Sequence, residues 1–361
     1  MTTFAIIGAG AWGTALASHT ARLGHTVRMW ALEADVADEI TRRHVNSVYL
    51  ADIALPETIR ASTDVAEVVA GADVVLLVPP SQHLRRVAVG LAPRVPAGAI
   101  VVVATKGIEE GSLKLMSEVL GEALPNVPAE RLAFLSGPTF ALEVARGKPT
   151  DVVIASRGMA AAREVQALLH APLFRVYASA DPIGVQVGGA IKNVMAVAVG
   201  ACDALDFGAN ARAAIITRGL AEMTRLGVAL GANPLTFLGM AGVGDLILTC
   251  TGELSRNRTL GKQIATGADP KTYLASKRSV AEGYYTADAA HGLAQRLGVE
   301  MPITENVYHV LHRGRPLPEA VRVLLERAHK DELHGLDQAA AGLGGTPDYG
   351  TGGFPGSGTA R

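Results

Sequence analysis

Residues 4–17 read FAIIGAGAWGTALA, and this stretch decides the fold of the first half of the chain. Its apolar start predicts a buried strand, and the Gly-x-Gly-x-x-Gly pattern of Gly8, Gly10 and Gly13 follows directly and opens a helix. Gly8 allows a tight turn, Gly10 lets the backbone approach a pyrophosphate, and Gly13 lets helix and strand pack closely. Amides at the helix N-terminus would then face a diphosphate. The pattern predicts a dinucleotide-binding turn; a structural glycine-rich turn and a methyltransferase loop are the alternatives.

Short apolar runs alternate with helical patterns along the rest of the first half. Near-continuous apolar runs are typical of strands that are buried on both faces of a sheet. Strand–helix–strand repetition implies right-handed connections and a parallel sheet. We therefore expect an α/β, Rossmann-type doubly wound sheet over residues 1–185. The runs are FAIIGAG, TVRMWA, DVVLLVPP, AIVVVATKG, RLAFLSG and DVVIAS.

The second half of the chain has a different pattern. Strand-like runs stop after FRVYAS, and from Gly188 onward the apolar residues keep helical spacing. One such stripe is formed by Ile216, Leu220, Met223, Leu226 and Leu230. This pattern predicts an all-α domain over residues 186–335. Residues 338–361 have too little apolar content to fold and are expected to form a disordered tail.

Composition narrows the possible functions. The chain has 361 residues, enough for two domains, of which 49% are hydrophobic and 19% charged. A formal net charge of −1 provides no basic surplus for nucleic acid or an acidic membrane surface, although a local pocket for a small anion needs only a few cations. Cys202 and Cys250 stand alone, without a Cys-x-x-Cys pair or a His-rich cluster, so we expect neither a disulfide framework nor a metal site.

No segment of the sequence indicates export or membrane insertion. The N-terminus lacks a basic region ahead of an apolar core, so no signal peptide is expected. The most apolar stretch, residues 185–200, is interrupted by Lys192 and Asn193, which argues against a membrane span. Together with the few cysteines, this predicts a cytoplasmic protein.

Lys192 is the most informative single residue. Apolar neighbours should desolvate its ammonium group and lower its pKa, which makes it a plausible proton acceptor near neutral pH. Gly188 and Gly189, about one turn earlier, are expected to leave space for a ligand. The alternative is a lysine whose stem is buried while its ammonium group reaches water. The apolar neighbours are Ala190, Ile191, Val194, Met195, Ala196 and Val197.

Glu33 lies 20 residues beyond Gly13, near the end of the second predicted strand. An acid at this place can hold a ribose hydroxyl and would repel a 2′-phosphate, so it favours NAD over NADP. A solvated glutamate at a helix start is the alternative. Arg42 and Arg43 lie close enough in the sequence to leave the choice of cofactor open.

Two later segments carry further polar candidates. Asp245 follows Gly242 and Gly244, where a carboxylate can approach a ligand or simply cap a helix. Ten residues on, the sequence SRNR begins at Ser255, which can cap a helix whose first turn offers free amides. A guanidinium beside those amides would clamp a phosphate with two hydrogen bonds. Basic residues are otherwise unfavourable in a first turn, so an anion ligand is favoured over a solvated charge run.

Taken together, these segments resemble the bacterial-type NAD(P)-dependent sn-glycerol-3-phosphate dehydrogenase family, from residue 3 to about residue 335. The most specific match is GGAIKNVMAVAVG around Lys192. Other matching segments follow in order: GAGAWGTALA, the Asn-x-x-Tyr-Leu element NSVYL, VVATKGI, SGPTFALEVA, GVGDLILTCTGELSRNRTLG, VAEGYYTA and VEMPITENVYHVLH. WALE after the second strand replaces arginine-bearing versions common in the family, which leaves NADP preference open. VAEG replaces VVEG, a change of little expected consequence.

The resemblance implies roles for individual positions. Lys192 would be the proton acceptor, and Lys106 and Asp245 would orient the reacting end of the substrate. Beyond the glycine turn and Glu33, the implied cofactor contacts are Ala11, Trp12, Lys106, Ala141, Arg256, Val280 and Glu282. The implied substrate contacts are Lys106, Gly137, Thr139, Lys192, Asp245, Ser255, Arg256 and Asn257.

The implied reaction is the reversible reduction of dihydroxyacetone phosphate to sn-glycerol 3-phosphate by NADH or NADPH, which supplies phospholipid synthesis. Family members suggest a homodimer. One alternative is another two-domain Rossmann reductase acting on a hydroxyacid or a ketopantoate-like substrate, which would need a carboxylate clamp. Another is a non-catalytic dinucleotide-sensing module, which would need only the first domain and would not explain a buried lysine.

Overall fold

The computed structural model describes residues 1–328, 331–332 and 335. The tail predicted at residues 338–361 lies outside the described residues.

Eight strands form one sheet within the described part of the chain. They are β1 Thr3–Ile7, β2 Thr26–Trp30, β3 Arg60–Ser62, β4 Val74–Leu77, β5 Ile100–Val103, β6 Leu132–Ser136, β7 Thr150–Ser156 and β8 Phe174–Ser179. Their order across the sheet is β3-β2-β1-β4-β5-β6-β7-β8. The direction of winding reverses between β1 and β4, which is the place where doubly wound sheets bind dinucleotides. The predicted Rossmann-type fold is confirmed.

Apolar side chains on both faces explain why the central strands form. Every residue of β4 and β5 is buried. Successive side chains of a strand point to opposite faces, so Val74 and Leu76 enter one apolar layer while Val75 and Leu77 enter the other. Helices supply the other half of each layer; Leu16, for example, belongs to the first.

The sheet departs from the all-parallel prediction at β7. This strand runs antiparallel to β6, with Ser136 opposite Val153, and β8 is parallel to β7. The helix between β6 and β7 has only five residues, Ala141–Ala145. It spans about 7.5 Å, less than half of the roughly 16 Å length of a five-residue strand. The helix alone does not carry the chain back to the start of β6, and β7 begins at the edge where β6 ends.

The sequence reasoning missed β3. It has three residues, all exposed or half-buried, and no apolar run. Its register against β2 pairs Arg28 with Arg60 and Trp30 with Ser62. Edge position rather than side-chain burial explains why such a polar segment pairs here.

Helices cover the sheet and form the second half of the chain. In the described residues they are α1 Ala11–Arg22, α2 Ala34–Arg43, α3 Val65–Val69, α4 Leu84–Leu91, α5 Met116–Ala123, α6 Ala141–Ala145, α7 Met159–Leu169, α8 Pro182–Ala204, α9 Gly208–Ala229, α10 Asp245–Thr251, α11 Arg256–Ala265, α12 Pro270–Ala275, α13 Glu282–Leu297, α14 Pro302–Arg313 and α15 Leu317–Leu325. The predicted all-α character of the second half is confirmed. The boundary predicted at residue 185 falls in the first turn of α8.

α8 is the central helix of the second half. Asp181 caps it by accepting a hydrogen bond from the amide of Gly184 at 2.9 Å, and Pro182 occupies its first turn. Among the described helices, α8 alone is long and apolar enough to cross a membrane, but 94% of its apolar window is buried inside the protein. The apolar residues of α8 therefore form the centre of a core. A Cβ at Gly200 would lie 2.0 Å from the carbonyl oxygen of Arg258, so α8 and α11 pack in backbone contact.

Candidate functional site

The glycine turn after β1 has the shape that the sequence predicts. Gly8 has a φ of +121°, a conformation that L side chains rarely adopt, and a Cβ there would lie 3.1 Å from the carbonyl carbon of Val78. A Cβ at Gly13 would lie 2.0 Å from the carbonyl oxygen of Gly8, so only glycine lets α1 pack on the turn. A Cβ at Gly10 would meet no described atom within 4 Å beyond its chain neighbours, so the space at the helix N-terminus is open.

Side chains around this turn suit a nucleotide. The indole nitrogen Nε1 of Trp12 is buried and has no hydrogen-bond partner among the described residues. Asn46 braces the turn, because its Nδ2 donates to the carbonyl oxygen of Ala9 and to Oγ1 of Thr14, each at 2.8 Å. Free helix amides, open space and an unpartnered N–H together fit the diphosphate and nucleoside of a dinucleotide.

Glu33 lies beyond the end of β2, where it is the N-cap residue of α2. Its carboxylate accepts a hydrogen bond from the hydroxyl of Tyr49 at 2.9 Å, which fixes its position. Arg42 and Arg43 are paired with acidic side chains one turn earlier on α2, at 3.6 and 3.8 Å. Both arginine side chains are at least 75% exposed. The Glu33 carboxylate is thus held just beyond the carboxyl end of β2, whereas both arginines lie on the exposed face of α2.

Asp245 joins two lysines in the interior. Its Oδ2 accepts a hydrogen bond from Nζ of Lys106 at 2.7 Å, and its Oδ1 accepts one from Nζ of Lys192. Oγ1 of Thr249 also donates to Oδ1, at 3.2 Å. The side chain of Asp245 is fully buried, whereas those of Lys106 and Lys192 are 15% and 8% exposed. We call Lys106, Asp245 and Lys192 the lysine–aspartate cluster.

Three elements bring the lysine–aspartate cluster together. Lys106 follows the carboxyl end of β5, Lys192 lies in the middle of α8, and Asp245 begins α10. Lys106 also donates to the carbonyl oxygen of Gly137, which follows the carboxyl end of β6, at 3.1 Å. The carboxyl ends of parallel strands meet at one edge of the sheet, so this cluster and the glycine turn face the same edge.

Burial and charge oppose each other within the cluster. Burial lowers the pKa of Lys192 to about 7; Asp245 raises it and Lys106 lowers it further. Burial raises the pKa of Asp245, but the two lysines outweigh that effect, and the pKa of its carboxyl group lies below the ordinary value. Asp245 is therefore a carboxylate at neutral pH, and Lys192 can exchange a proton there.

Two of the predicted substrate residues lie beside the cluster. Thr139 donates a hydrogen bond from Oγ1 to the carbonyl oxygen of Gly137 at 3.1 Å, the same oxygen that Lys106 contacts.

The expectation that Gly188 and Gly189 leave space for a ligand is wrong. A Cβ at Gly188 would lie 2.1 Å from the carbonyl oxygen of Ala241, and one at Gly189 would lie 2.8 Å from Oγ of Ser136. These glycines let α8 pack closely and do not line an open space.

The SRNR segment forms the first turn of α11. Ser255 is the N-cap, and its hydroxyl accepts a hydrogen bond from the amide of Arg258 at 3.2 Å, as the sequence predicts. Nε of Arg258 donates to Asp203 at 2.7 Å, and its NH1 donates to Glu253 at 2.6 Å. Arg256 is exposed and makes no hydrogen bond or ion pair within the described part of the chain. Of the two arginines, only Arg256 is free to hold an anion.

Asn257 links the helices that carry the candidate residues. Its Nδ2 donates to Oδ1 of Asn193 at 2.8 Å, and its Oδ1 accepts from the amide of Gly283 at 2.9 Å. Asn193 and Gly283 follow Lys192 and Glu282 directly in the sequence. The first turn of α11 is thereby fixed against both α8 and the start of α13.

The remaining predicted cofactor residues lie on two helix starts. Ala141 is the first residue of α6, and Val280 directly precedes the N-cap of α13. The carboxylate of Glu282 accepts hydrogen bonds from the amide of Ser81 at 2.9 Å and from its hydroxyl at 2.5 Å. Ser81, on the turn after β4, and Ser136, whose buried hydroxyl has no described partner, are polar site residues that the sequence reasoning missed.

No candidate metal site is present in the described chain. Among these residues, no group of three or more His, Cys, Asp or Glu side chains lies close enough to hold a metal ion. Cys202 and Cys250 are both buried and unpaired. Burial raises the pKa of Cys250 to about 12, so its thiol is inert at neutral pH.

Comparison with protein families covers nearly the whole chain. Residues 3–162 match the family described as NAD-dependent glycerol-3-phosphate dehydrogenase N-terminus, and residues 181–322 match the corresponding C-terminus. A glycerol-3-phosphate dehydrogenase [NAD(P)+] of Geobacter sp. (strain M21) is 50% identical over 328 residues, which are 91% of this chain and 98% of the relative. One from Anaeromyxobacter dehalogenans (strain 2CP-C) is 49% identical and covers 91% of this chain and 99% of its own.

Solved structures of other proteins also resemble this chain. The glycerol-3-phosphate dehydrogenase of Coxiella burnetii superposes with a TM-score of 0.86 at 41% identity, covering 90% of this chain and 99% of that one. A ketopantoate reductase from Ralstonia eutropha JMP134 reaches a TM-score of only 0.56 at 18% identity, over 87% of this chain and 98% of its own. The second likeness concerns the fold alone.

Proposed function

Because this chain belongs to the NAD-dependent glycerol-3-phosphate dehydrogenases, we propose how its own residues carry out that family's reaction. The protein is an NAD(P)-dependent oxidoreductase that interconverts dihydroxyacetone phosphate and sn-glycerol 3-phosphate. The lysine–aspartate cluster is the observation that supports our assignment of roles. A carbonyl becomes an alcohol only if a proton reaches its oxygen, and the cluster holds a buried lysine whose pKa is about 7.

We assign the proton transfer to Lys192. During reduction, carbon C2 of the substrate receives a hydride and its oxygen takes a proton from the ammonium group of Lys192, which becomes a neutral amine. During oxidation the same amine takes the proton of the C2 hydroxyl. Asp245 holds Lys192 in position, and Lys106, bound to Asp245 at 2.7 Å, places a second positive charge beside the developing alkoxide.

The glycine turn is assigned to the cofactor. NADH or NADPH supplies the hydride when it is bound. The amides of Ala11 and Trp12 at the start of α1 would hold its diphosphate, and Gly10 leaves the space for this approach. Glu33 would accept a hydrogen bond from a ribose hydroxyl. The remaining cofactor contacts proposed from the resemblance are Ala141, which begins α6, and Val280 and Glu282 at the start of α13.

The first turn of α11 is assigned to the substrate phosphate. Arg256 is the unpaired guanidinium there among the described residues; Ser255 caps the turn, and Asn257 connects it to α8. The phosphate does not take part in the hydride or proton transfer, but its binding would align C2 with Lys192. Gly137 and Thr139 would contact the reacting end beside Lys106.

Steady-state kinetics test these assignments. The purified protein should oxidise NADH when dihydroxyacetone phosphate is added, and should reduce NAD when sn-glycerol 3-phosphate is added, both followed by nicotinamide absorbance. Ketopantoate and 2-oxoacids should give no turnover, because they lack the phosphate that the first turn of α11 is proposed to bind. Turnover of a 2-oxoacid in preference to dihydroxyacetone phosphate would contradict the assignment.

We also propose a cytoplasmic homodimer that supplies glycerol 3-phosphate to phospholipid synthesis, with its two domains meeting at the start of α8. Exposed apolar side chains on the helical half offer a surface for a second copy: Phe207, Leu235, Leu238, Ile247 and Leu254. Light scattering after size exclusion should give twice the mass of one chain, and cell fractionation should recover the protein with cytoplasmic markers. A monomer, or recovery with membranes, would contradict this proposal.

A further inference from the structure

Ser81 joins the sheet half of the molecule to the helical half. It lies on the turn after β4 and is 1% exposed. Its amide donates to Oε1 of Glu282 at 2.9 Å, and its hydroxyl donates to Oε2 at 2.5 Å. One residue of the sheet half thus holds both carboxylate oxygens of the first residue of α13.

The contact between Ser81 and Glu282 is packed against the segment that carries Lys106. A Cβ at Gly107 would lie 2.5 Å from Cβ of Ser81 and 3.5 Å from Oε2 of Glu282. Only glycine therefore fits after Lys106 without displacing this contact. The turns after β4 and β5 and the start of α13 meet at one point beside the lysine–aspartate cluster.

A hydrogen bond also connects the start of α13 to the first turn of α11. Gly283, which follows Glu282, donates to Oδ1 of Asn257 at 2.9 Å. Asn257 follows Arg256, so the start of α13 fixes the turn that presents this arginine. Burial raises the pKa of the Glu282 carboxyl group, and the hydrogen bonds from Ser81 and the positive charge of Arg256 partly oppose this rise, so Arg256 lies close enough to Glu282 to attract it.

We propose that Ser81 is a positioning residue, which fixes Glu282 at the start of α13 and thereby orients Arg256 toward the phosphate of the substrate. This inference rests on the phosphate site proposed above. Ser81 contacts neither the phosphate nor C2. Its loss should weaken recognition of the phosphate group while leaving the reactivity of the carbonyl unchanged.

The test compares two substrates that differ only in the phosphate, dihydroxyacetone phosphate and dihydroxyacetone. Ser81→Ala removes the hydroxyl that donates to Glu282 and should lower kcat/KM for dihydroxyacetone phosphate by roughly ten- to a hundredfold, the effect of one hydrogen bond to a charged group. Most of this loss should appear in KM. Turnover of dihydroxyacetone should stay within about twofold, because this substrate has no phosphate. The dissociation constant of NADH is measured by fluorescence for each variant and kcat/KM is compared at saturating NADH, because Glu282 and Arg256 are also proposed cofactor contacts.

A matched control is Ser112→Ala. Ser112 also donates its hydroxyl to a glutamate, Glu109, at 2.5 Å, but none of its described hydrogen bonds is with α11 or α13. This variant should leave both substrates unaffected. A double variant of Ser81→Ala with Glu282→Gln should lose less than the sum of the two single losses, because both changes break the same contact.

Equal losses on both substrates in Ser81→Ala, weaker NADH binding with an unchanged KM for dihydroxyacetone phosphate, or no change at all would each overturn the inference. Arg256→Lys in the same assay separates this failure from that of the phosphate site. If Arg256→Lys loses phosphate selectivity and Ser81→Ala does not, only the role of Ser81 fails. If neither loses it, the proposed phosphate site fails as well.

Discussion

Lys192 donates a hydrogen bond to Oδ1 of Asp245 in a part of the interior where Asp245 is fully buried and only 8% of the lysine side chain is exposed. Burial favours the neutral amine, whereas the carboxylate favours the ammonium. Burial is the larger effect, and the pKa of Lys192 falls to about 7. The pair thus keeps the lysine in place while its proton remains exchangeable.

Replacing Lys192 with methionine tests its role in proton transfer. Methionine has nearly the same shape but carries no proton, so Lys192→Met should lower kcat by a factor on the order of 10² or more. NADH should still bind, because its diphosphate is proposed to bind at the glycine turn before α1, whereas Lys192 lies on α8. Stopped-flow or steady-state absorbance measures kcat, and fluorescence titration measures NADH binding.

Lys271→Met is the matched control, since Lys271 is an exposed lysine of the same helical half. It should retain the wild-type kcat. A Lys192→Met enzyme whose kcat stays within about tenfold of wild type would show that Lys192 is structural, because that loss is too small for an acid–base group.

The pKa of Lys192 predicts opposite pH profiles for the two directions. Oxidation of glycerol 3-phosphate needs the neutral amine, so kcat/KM should rise with pH and level off above about 7. Reduction of dihydroxyacetone phosphate needs the ammonium, so kcat/KM should be level at low pH and fall above about 7. Ionisation of the substrate phosphate, near pH 6, would affect both directions alike. Initial rates in both directions over this range are the measurement.

Asp245→Asn adds a second test of the same profile. Asp245 raises the pKa of Lys192, so its removal should move both midpoints to lower pH. Midpoints that stay in place would mean that another group titrates.

The sequence was sufficient for the features that depend on local chemistry. Gly13 is required by the approach of α1 to the carbonyl oxygen of Gly8, five residues earlier, and Gly8 by its own φ of +121°, and the structure shows both. The cap of α11 by Ser255 is local in the same way. The apolar neighbours of Lys192 in the sequence predicted its burial correctly, since a helix in a core is surrounded on all sides.

Contacts between distant segments could not be predicted. Ser81 and Glu282 are 201 residues apart, and nothing near Ser81 in the sequence indicates a carboxylate partner. The reversal of β7 is a relation between strands that their apolar runs do not indicate. The misreading of Gly188 and Gly189 has the same origin, because whether a glycine faces a ligand or a neighbouring backbone depends on the packing of Ala241 and Ser136 against α8.

Glu33→Arg should change the preference between the two cofactors. The substitution removes a carboxylate that repels a 2′-phosphate and adds a donor that can bind it. The ratio of kcat/KM for NADPH to that for NADH should rise by about tenfold or more, which corresponds to ~1.4 kcal/mol. Steady-state kinetics with both cofactors measure this ratio.

The control for this change is Arg42→Gln. Arg42 is exposed and paired with an acid on its own helix at 3.6 Å, so its loss should leave the ratio unchanged. If Glu33→Arg leaves the ratio unchanged too, the Glu33 side chain does not face the adenosine ribose.

Arg256→Lys is the sharpest test of substrate class. Lysine keeps the charge but lacks the planar pair of donors that binds phosphate, so the change is not conservative at such a site. For the wild-type enzyme, dihydroxyacetone should be a very poor substrate, because it lacks the group whose binding aligns C2. Arg256→Lys should lower kcat/KM for dihydroxyacetone phosphate by an amount that corresponds to a loss of roughly 2–4 kcal/mol of transition-state stabilisation. The same change should barely affect turnover of dihydroxyacetone.

Arg258 provides the matched control two residues further along α11. Its guanidinium is bound to Asp203 and Glu253, so Arg258→Lys should lower thermal stability without changing the ratio between the two substrates. Arg256 is also a proposed cofactor contact, so NADH affinity has to be measured for each variant by fluorescence titration. Equal losses on both substrates in Arg256→Lys, with NADH binding intact, would show that Arg256 does not recognise the phosphate. The anion site would then have to lie elsewhere, and Lys106 would be the next cation to test.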